Sequence, residues 1–164
     1  MWQAAQWCHW LQNTAFATGI RQSDLLFPLI EGSHILALSI SVGLVIMLDL
    51  RLLQLAFTGE RVSRVMHQVM PWALPGFAVM FVTGILLFIA QAEKVYTNTF
   101  FRCKILFLVI AGLNALYYQM KFYPKMPEWD LGPKIPSGAK LTALVSLVLW
   151  AAIIALGRTM AYEL

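Results

Sequence analysis

Four stretches of this chain are apolar enough, and nearly long enough, to cross a bilayer, and charged residues collect between them. A helix needs roughly 20 mainly apolar residues to span about 30 Å of hydrocarbon. From Val65 to Ala92 no Asp, Glu, Lys or Arg occurs over 28 positions. The other charge-free runs, near 32–48, 105–120 and 141–157, are shorter but extended by apolar or aromatic flanks. The expectation is an all-α integral membrane protein: a four-helix, up-down antiparallel bundle with an N-terminal interfacial amphipathic helix. Composition agrees, since only 12% of residues are charged and mean hydropathy is +0.70, against about 25% charged in soluble domains.

No polar block is large enough for a separate domain, so one membrane domain over 1–164 is expected. Trp7, Trp10 and Leu11 fall on one side of a helical wheel and Gln3, Gln6 and Asn13 nearer the other. That pattern predicts a short interfacial helix over about 2–17, with tryptophan at headgroup level. Spanning helices are expected at about 25–57, 62–91, 100–122 and 139–160. Pro71 and Pro75 predict a kink or restart within the second. Tyr123 to Gly138, with four prolines, reads as an extended loop.

Short connections make antiparallel neighbours the default, and four crossings put both termini on one side. Arg51, Arg61, Arg64, Lys121, Lys125, Lys134 and Lys140 gather on the loop side, against Arg21, Lys94, Arg102, Lys104 and Arg158 on the other. The excess of basic residues assigns the loop side to the cytoplasm and the termini to the periplasm of a bacterial inner membrane. The N-terminus has neither a basic region nor a long apolar run, so no cleaved leader is expected. Cys8 and Cys103 show no metal-type spacing. No basic run suggests a nucleic-acid partner; the expected partners are the lipid bilayer and other membrane subunits or a second copy.

Chemistry is concentrated in few polar residues. Glu31 and His34, three apart, share a helix face and lie at the same end as Arg102, Lys104 and Arg158. They are expected to form an ion-pair cluster, or a site for an anionic headgroup or quinone oxygens. Asp49 comes to the depth of His67, so Asp49, Arg51, His67, Asn114 and Gln119 form a second expected cluster. His34 and His67 cannot share one haem, because more than about 20 Å of helix axis separates them. Met80 matches His34 in depth, giving a His34–Met80 haem alternative. Met66, His67 and Met70 give a copper alternative. Packing roles for these residues are the competing reading throughout. No nucleophile elbow, phosphate-cradling loop or zinc-protease pattern occurs.

The strings Ser33-His34-Ile35-Leu36, Leu48-Asp49-Leu50-Arg51, Phe101-Arg102-Cys103-Lys104, Ala111-Gly112-Leu113-Asn114 and Gly157-Arg158 with Ala161-Tyr162 together resemble a family of uncharacterised bacterial four-helix membrane proteins. That family is similar in outline to the copper-resistance D and cytochrome b561 types. The resemblance implies a four-helix membrane fold and no established activity. The leading expectation is a non-enzymatic accessory or scaffold subunit of a larger membrane complex. The alternatives are a b-type haem electron carrier that meets quinone, and a copper or small-ion handling protein.

Overall fold

The computed structural model describes residues 2–130 and 135–163, so Lys134 and the rest of 131–134 in the expected loop lie outside the described residues. The described residues contain helices and no strand. In chain order they are α1 (Trp2–Gln12), α2 (Ala15–Gln22), α3 (Leu26–Leu52), α4 (Val62–Ala90), α5 (Ala92–Thr97), α6 (Thr99–Lys121), a 3-10 turn (Tyr123–Lys125), α7 (Met126–Trp129) and α8 (Ser137–Glu163). Among the described residues, four helical stretches are long and apolar enough to cross a membrane: Leu26–Leu52, Val62–Ala90, Thr99–Trp129 and Ser137–Met160.

The N-terminal segment is two helices, not the single one expected over 2–17. The chain breaks at Asn13-Thr14, where Thr14 Oγ1 accepts from Ala17 N at 3.3 Å and caps α2, satisfying a first-turn donor. Arg21 then reaches back, donating to the carbonyls of Gln12 and Ala90 at 3.2 Å each. It thereby joins the C-terminal ends of α1 and α4, where carbonyls lack helical partners. Gln12 Oε1 accepts from Glu93 N at 2.9 Å, at the start of α5.

Helix α3 stops at Leu52, short of the expected Phe57. Gln54 takes φ 62° and Phe57 φ 55°, the left-handed region that closes helices. Leu55 N donates to Leu50 O at 3.0 Å and Gln54 N to Arg51 O at 3.1 Å, the Schellman pattern with glutamine in the usual glycine position. Arg51, only 7% exposed, donates from Nε to Glu60 O at 2.6 Å and closes the turn into α4.

Helix α4 runs unbroken from Val62 to Ala90 with Pro71 and Pro75 inside it, so no restart occurs. Both prolines lie on its exposed side. Its N-terminus is capped from a distance: Asp130 accepts from both Ser63 N and Ser63 Oγ. The proline-rich segment is therefore not extended through its first half. It folds into the 3-10 turn and α7, and Met126, Trp129 and Ile135 enter an apolar cluster with Leu48, Leu52, Val62 and Val69.

The long helices pack in the order α4, α3, α8, α6. Gly76 of α4 meets Ser41 of α3, where a Cβ on Gly76 would collide with Ser41 Oγ. Phe77 stacks on Trp150 of α8 at 5.5 Å, within a second cluster holding Ala37, Val42, Met80, Ala111 and Ile153. Helix α6 stands at one end of this order, as α4 does at the other. Of its side chains only Ala111 and Tyr118 are buried, while Leu106, Val109, Leu113 and Leu116 are exposed.

Candidate functional site

The helix order brings polar groups together at two levels. At the first, His34 lies about two turns inside α3, and Thr83 about two turns from the end of α4. His34 Nδ1 is 3.0 Å from Thr83 Oγ1, and the ring also reaches the carbonyl of Met80. Thr83 Oγ1 stands 2.7 Å from Val79 O and 3.1 Å from Met80 O. A hydroxyl has one proton, and these carbonyls take it. Thr83 therefore accepts from His34 Nδ1–H, which leaves Nε2 as the ring's other functional atom.

Two glycines make room for this arrangement. A Cβ on Gly84 would stand 3.1 Å from His34 Cε1, so the ring lies against bare α4 backbone. Lys104 of α6 acts electrostatically on His34. Its Nζ runs along α8, 3.2 Å from where a Cβ on Gly157 would be. A histidine and a half-buried lysine thus act on each other electrostatically from different helices, and neither forms an ion pair among the described residues.

The wider ion-pair cluster expected around them is not assembled. Glu31 is exposed. Arg102 lies over the Tyr96 ring at 5.6 Å, and Arg158 over Tyr162 at 5.0 Å. Met80 shares the level of His34 but is 5% exposed and packs within the second apolar cluster. Above this level an open cleft of about 690 Å³ is lined by Gln6 and His9 of α1, Glu93, Tyr96 and Thr97 of α5, and Arg102.

The second level lies toward the α3–α4 turn. Asp49 is 5% exposed, and its side-chain partner is Ser146 of α8, not His67. His67 is on the exposed side of α4, because equal depth along two helices does not fix the direction each side chain points. Arg51 serves the turn, as above. Asn114 Nδ2 donates to Thr142 O of α8 at 2.9 Å, while Gln119 is exposed. Met66 and Met70 pack against the first apolar cluster, on a different face from His67, so the three do not converge as a copper set. Among the described residues no group of three or more His, Cys, Asp or Glu is placed to hold a metal ion.

The sequence pattern assigns no role to Thr83 or Gly84, nor to Trp129, Asp130 and Ser146 at the second level, and it leaves Tyr118 a belt tyrosine. The Thr83-Gly84 pair inside an apolar run was the available signal. Trp129 and Asp130 read as ordinary loop residues, and Ser146 as one small polar residue within an apolar helix.

The model of a family of unknown function, DUF6644, matches residues 13–163. No curated protein matches, and no solved structure matches.

Proposed function

We propose that this chain, which belongs to the DUF6644 family, is a non-enzymatic accessory subunit of the bacterial inner membrane. It crosses the bilayer four times in up-down order and works by packing against another membrane protein. The observation that carries this reading is the outward face of α3, where Gly32, Leu36, Ser39 and Gly43 lie in one exposed line. Nothing stands within 4 Å of the place a Cβ would take on Gly32 or Gly43. Small residues facing lipid add little to lipid contact, but they let a second helix approach backbone to backbone. The edge position of α6 supplies further unpartnered apolar surface. Basic residues at the loop end, Arg61, Arg64, Lys121, Lys125 and Lys140, support a cytoplasmic loop side.

Native mass measurement after gentle extraction tests the reading. The wild type is expected to carry a partner, and Gly43→Leu to lose it while keeping its helicity and melting temperature. A wild type recovered only as a monomer, or a Gly43→Leu protein that retains its partner, overturns it.

A second reading is favoured by one observation: Lys104 acts electrostatically on His34, and neither has an ion-pair partner among the described residues. A redox carrier would use such groups, the imidazole as an axial ligand or both as donors to a quinone oxygen. An imidazole whose Nδ1–H is already given to oxygen is oriented for ligation through Nε2. An absorption spectrum after haem-replete expression, with quinone assay of the lipid extract, tests it. A Soret band lost in His34→Ala, or quinone lost in Lys104→Met, supports this reading. Neither signal in the wild type removes it.

A further inference from the structure

The cleft between α1, α5 and the start of α6, about 690 Å³ in volume, carries charge of both signs on one lining. Glu93 stands in the first turn of α5 and Arg102 in the first turn of α6. Neither forms an ion pair among the described residues. The Arg102 guanidinium lies over the Tyr96 ring at 5.6 Å. Stacking occupies the face of the guanidinium and leaves its in-plane N–H fork free, the arrangement that grips a phosphate through two parallel bonds.

The lining near Glu93 offers acceptors. Thr97, one turn further along α5, shares its face. Thr97 Oγ1 lies 3.0 Å from Lys94 O and 3.3 Å from Glu93 O, so its one proton is committed and its lone pairs remain. Helix α1 adds Gln6, with an amide oxygen, and His9. Gln12 Oε1 accepts from Glu93 N at 2.9 Å, which holds α5 against α1 and keeps the two walls in place.

These groups select the occupant. A simple anion meets Arg102 but is repelled by Glu93, and a simple cation meets the reverse. A ligand carrying a phosphate and an ammonium group side by side satisfies both. A primary ammonium has three N–H donors for Glu93, Thr97 and Gln6. A trimethylammonium has none and needs an open aromatic face, and the Tyr96 face is already covered by Arg102. The volume suits a small-ligand site, for which about 300–1,000 Å³ is typical.

We propose that this cleft binds a phosphoethanolamine group carried by a phospholipid, with the phosphate on Arg102 and the ammonium on Glu93. Trp7 and Trp10, on the same helix as Gln6 and His9, are 68% and 61% exposed, and tryptophan favours the headgroup level of a bilayer. A lipid headgroup therefore enters the cleft without leaving its leaflet. The inference rests on the four long helices crossing a bilayer, and on neither the partner face of α3 nor the His34 level.

Native mass spectrometry of the detergent-solubilised full chain tests the site, with phosphatidylethanolamine, phosphatidylcholine and phosphatidylglycerol of identical acyl chains as probes. The wild type is expected to bind phosphatidylethanolamine several-fold more tightly than either of the others. Glu93→Gln should weaken phosphatidylethanolamine several-fold and strengthen phosphatidylglycerol, an inversion that a loss of structure does not produce. Arg102→Gln should weaken both. Equal binding of the three lipids by the wild type would overturn the proposal without recourse to a variant. A lipid preference unchanged in Glu93→Gln would overturn it too. Soluble glycerophosphoethanolamine separates the two sources of the group: it is expected to displace the lipid only in large excess, and displacement at equal concentration overturns the lipid as its carrier.

Discussion

At the crossing of α3 and α4, Ser41 is fully buried at 0% exposure, and its Oγ has no hydrogen-bond partner among the described residues. The hydroxyl occupies the space a side chain on Gly76 would need. Two opposed effects follow from one atom. Removing an unpaired buried hydroxyl relieves a desolvation cost, so Ser41→Ala is expected to stabilise by about 1 kcal/mol. Gly76→Ala adds a methyl that forces the hydroxyl aside, an overpacking cost of about 1–3 kcal/mol. The double variant should recover most of that loss, because the remaining neighbours, Ser41 Cβ at 3.4 Å and Ala37 O at 3.6 Å, are at ordinary contact distances. Unfolding of all four proteins in one detergent gives the coupling directly. Additive effects would show that the hydroxyl is not the obstacle. A parallel case is Gly84→Ala, where 3.1 Å to His34 Cε1 obliges the ring to shift. It should disturb the His34–Thr83 hydrogen bond, visible as a changed imidazole Nδ1 shift in NMR of labelled protein.

Between helices, single side chains join backbone ends, and this is where a chain of apolar runs hides its detail. Arg21 joins α1 to α4 through two carbonyls, and Gln12 holds the start of α5. Cys8, 8% exposed, lies in α1 and reports on whether that helix stays seated. Arg21→Ala should raise the rate of Cys8 labelling by maleimide about tenfold, leaving the half-buried Cys103 unchanged. An unaltered Cys8 rate would mean that α1 is seated by apolar packing alone. The four long apolar helices were legible because composition alone carries that signal. The ends were less so. Gln54 holds the left-handed position where glycine is the usual marker, so α3 looked longer than it is. The two prolines of α4 suggested a break, yet they sit on the exposed side of a helix whose buried face holds Val62, Val65, Val69 and Ala73. Asp130 lies 67 residues from the helix start it caps, and no local pattern reveals such a pairing. Depth reasoning brought His34 and Met80 to one level but paired Asp49 with the wrong helix. Counting residues gives height along an axis and leaves the direction around it undetermined.

Over the whole molecule, the helices divide into two pairs: α3 with α4, and α6 with α8, joined mainly where α3 meets α8. Each pair is contiguous in sequence, and Asn98 starts the second by accepting from Phe101 N at 3.1 Å. Helices that are individually stable across a bilayer can associate after insertion, driven by packing and interhelical hydrogen bonds. A chain divided between Thr97 and Asn98 should therefore reassemble from two co-expressed fragments, each carrying one helix pair. The joint depends on α3–α8 contacts: Ile153 at 1% exposed, Val42 at 2%, and the Asp49–Ser146 hydrogen bond. Tagging one fragment and measuring recovery of the other checks this. Ile153→Ala, which opens a cavity worth about 2–5 kcal/mol, should sharply reduce recovery. Leu113→Ala, on the exposed edge of α6 at 59% exposure, should leave it unchanged. If fragments that both insert never co-purify, the α3–α8 seam is too weak to hold the pairs together. The connection through α5 must then supply the missing stability.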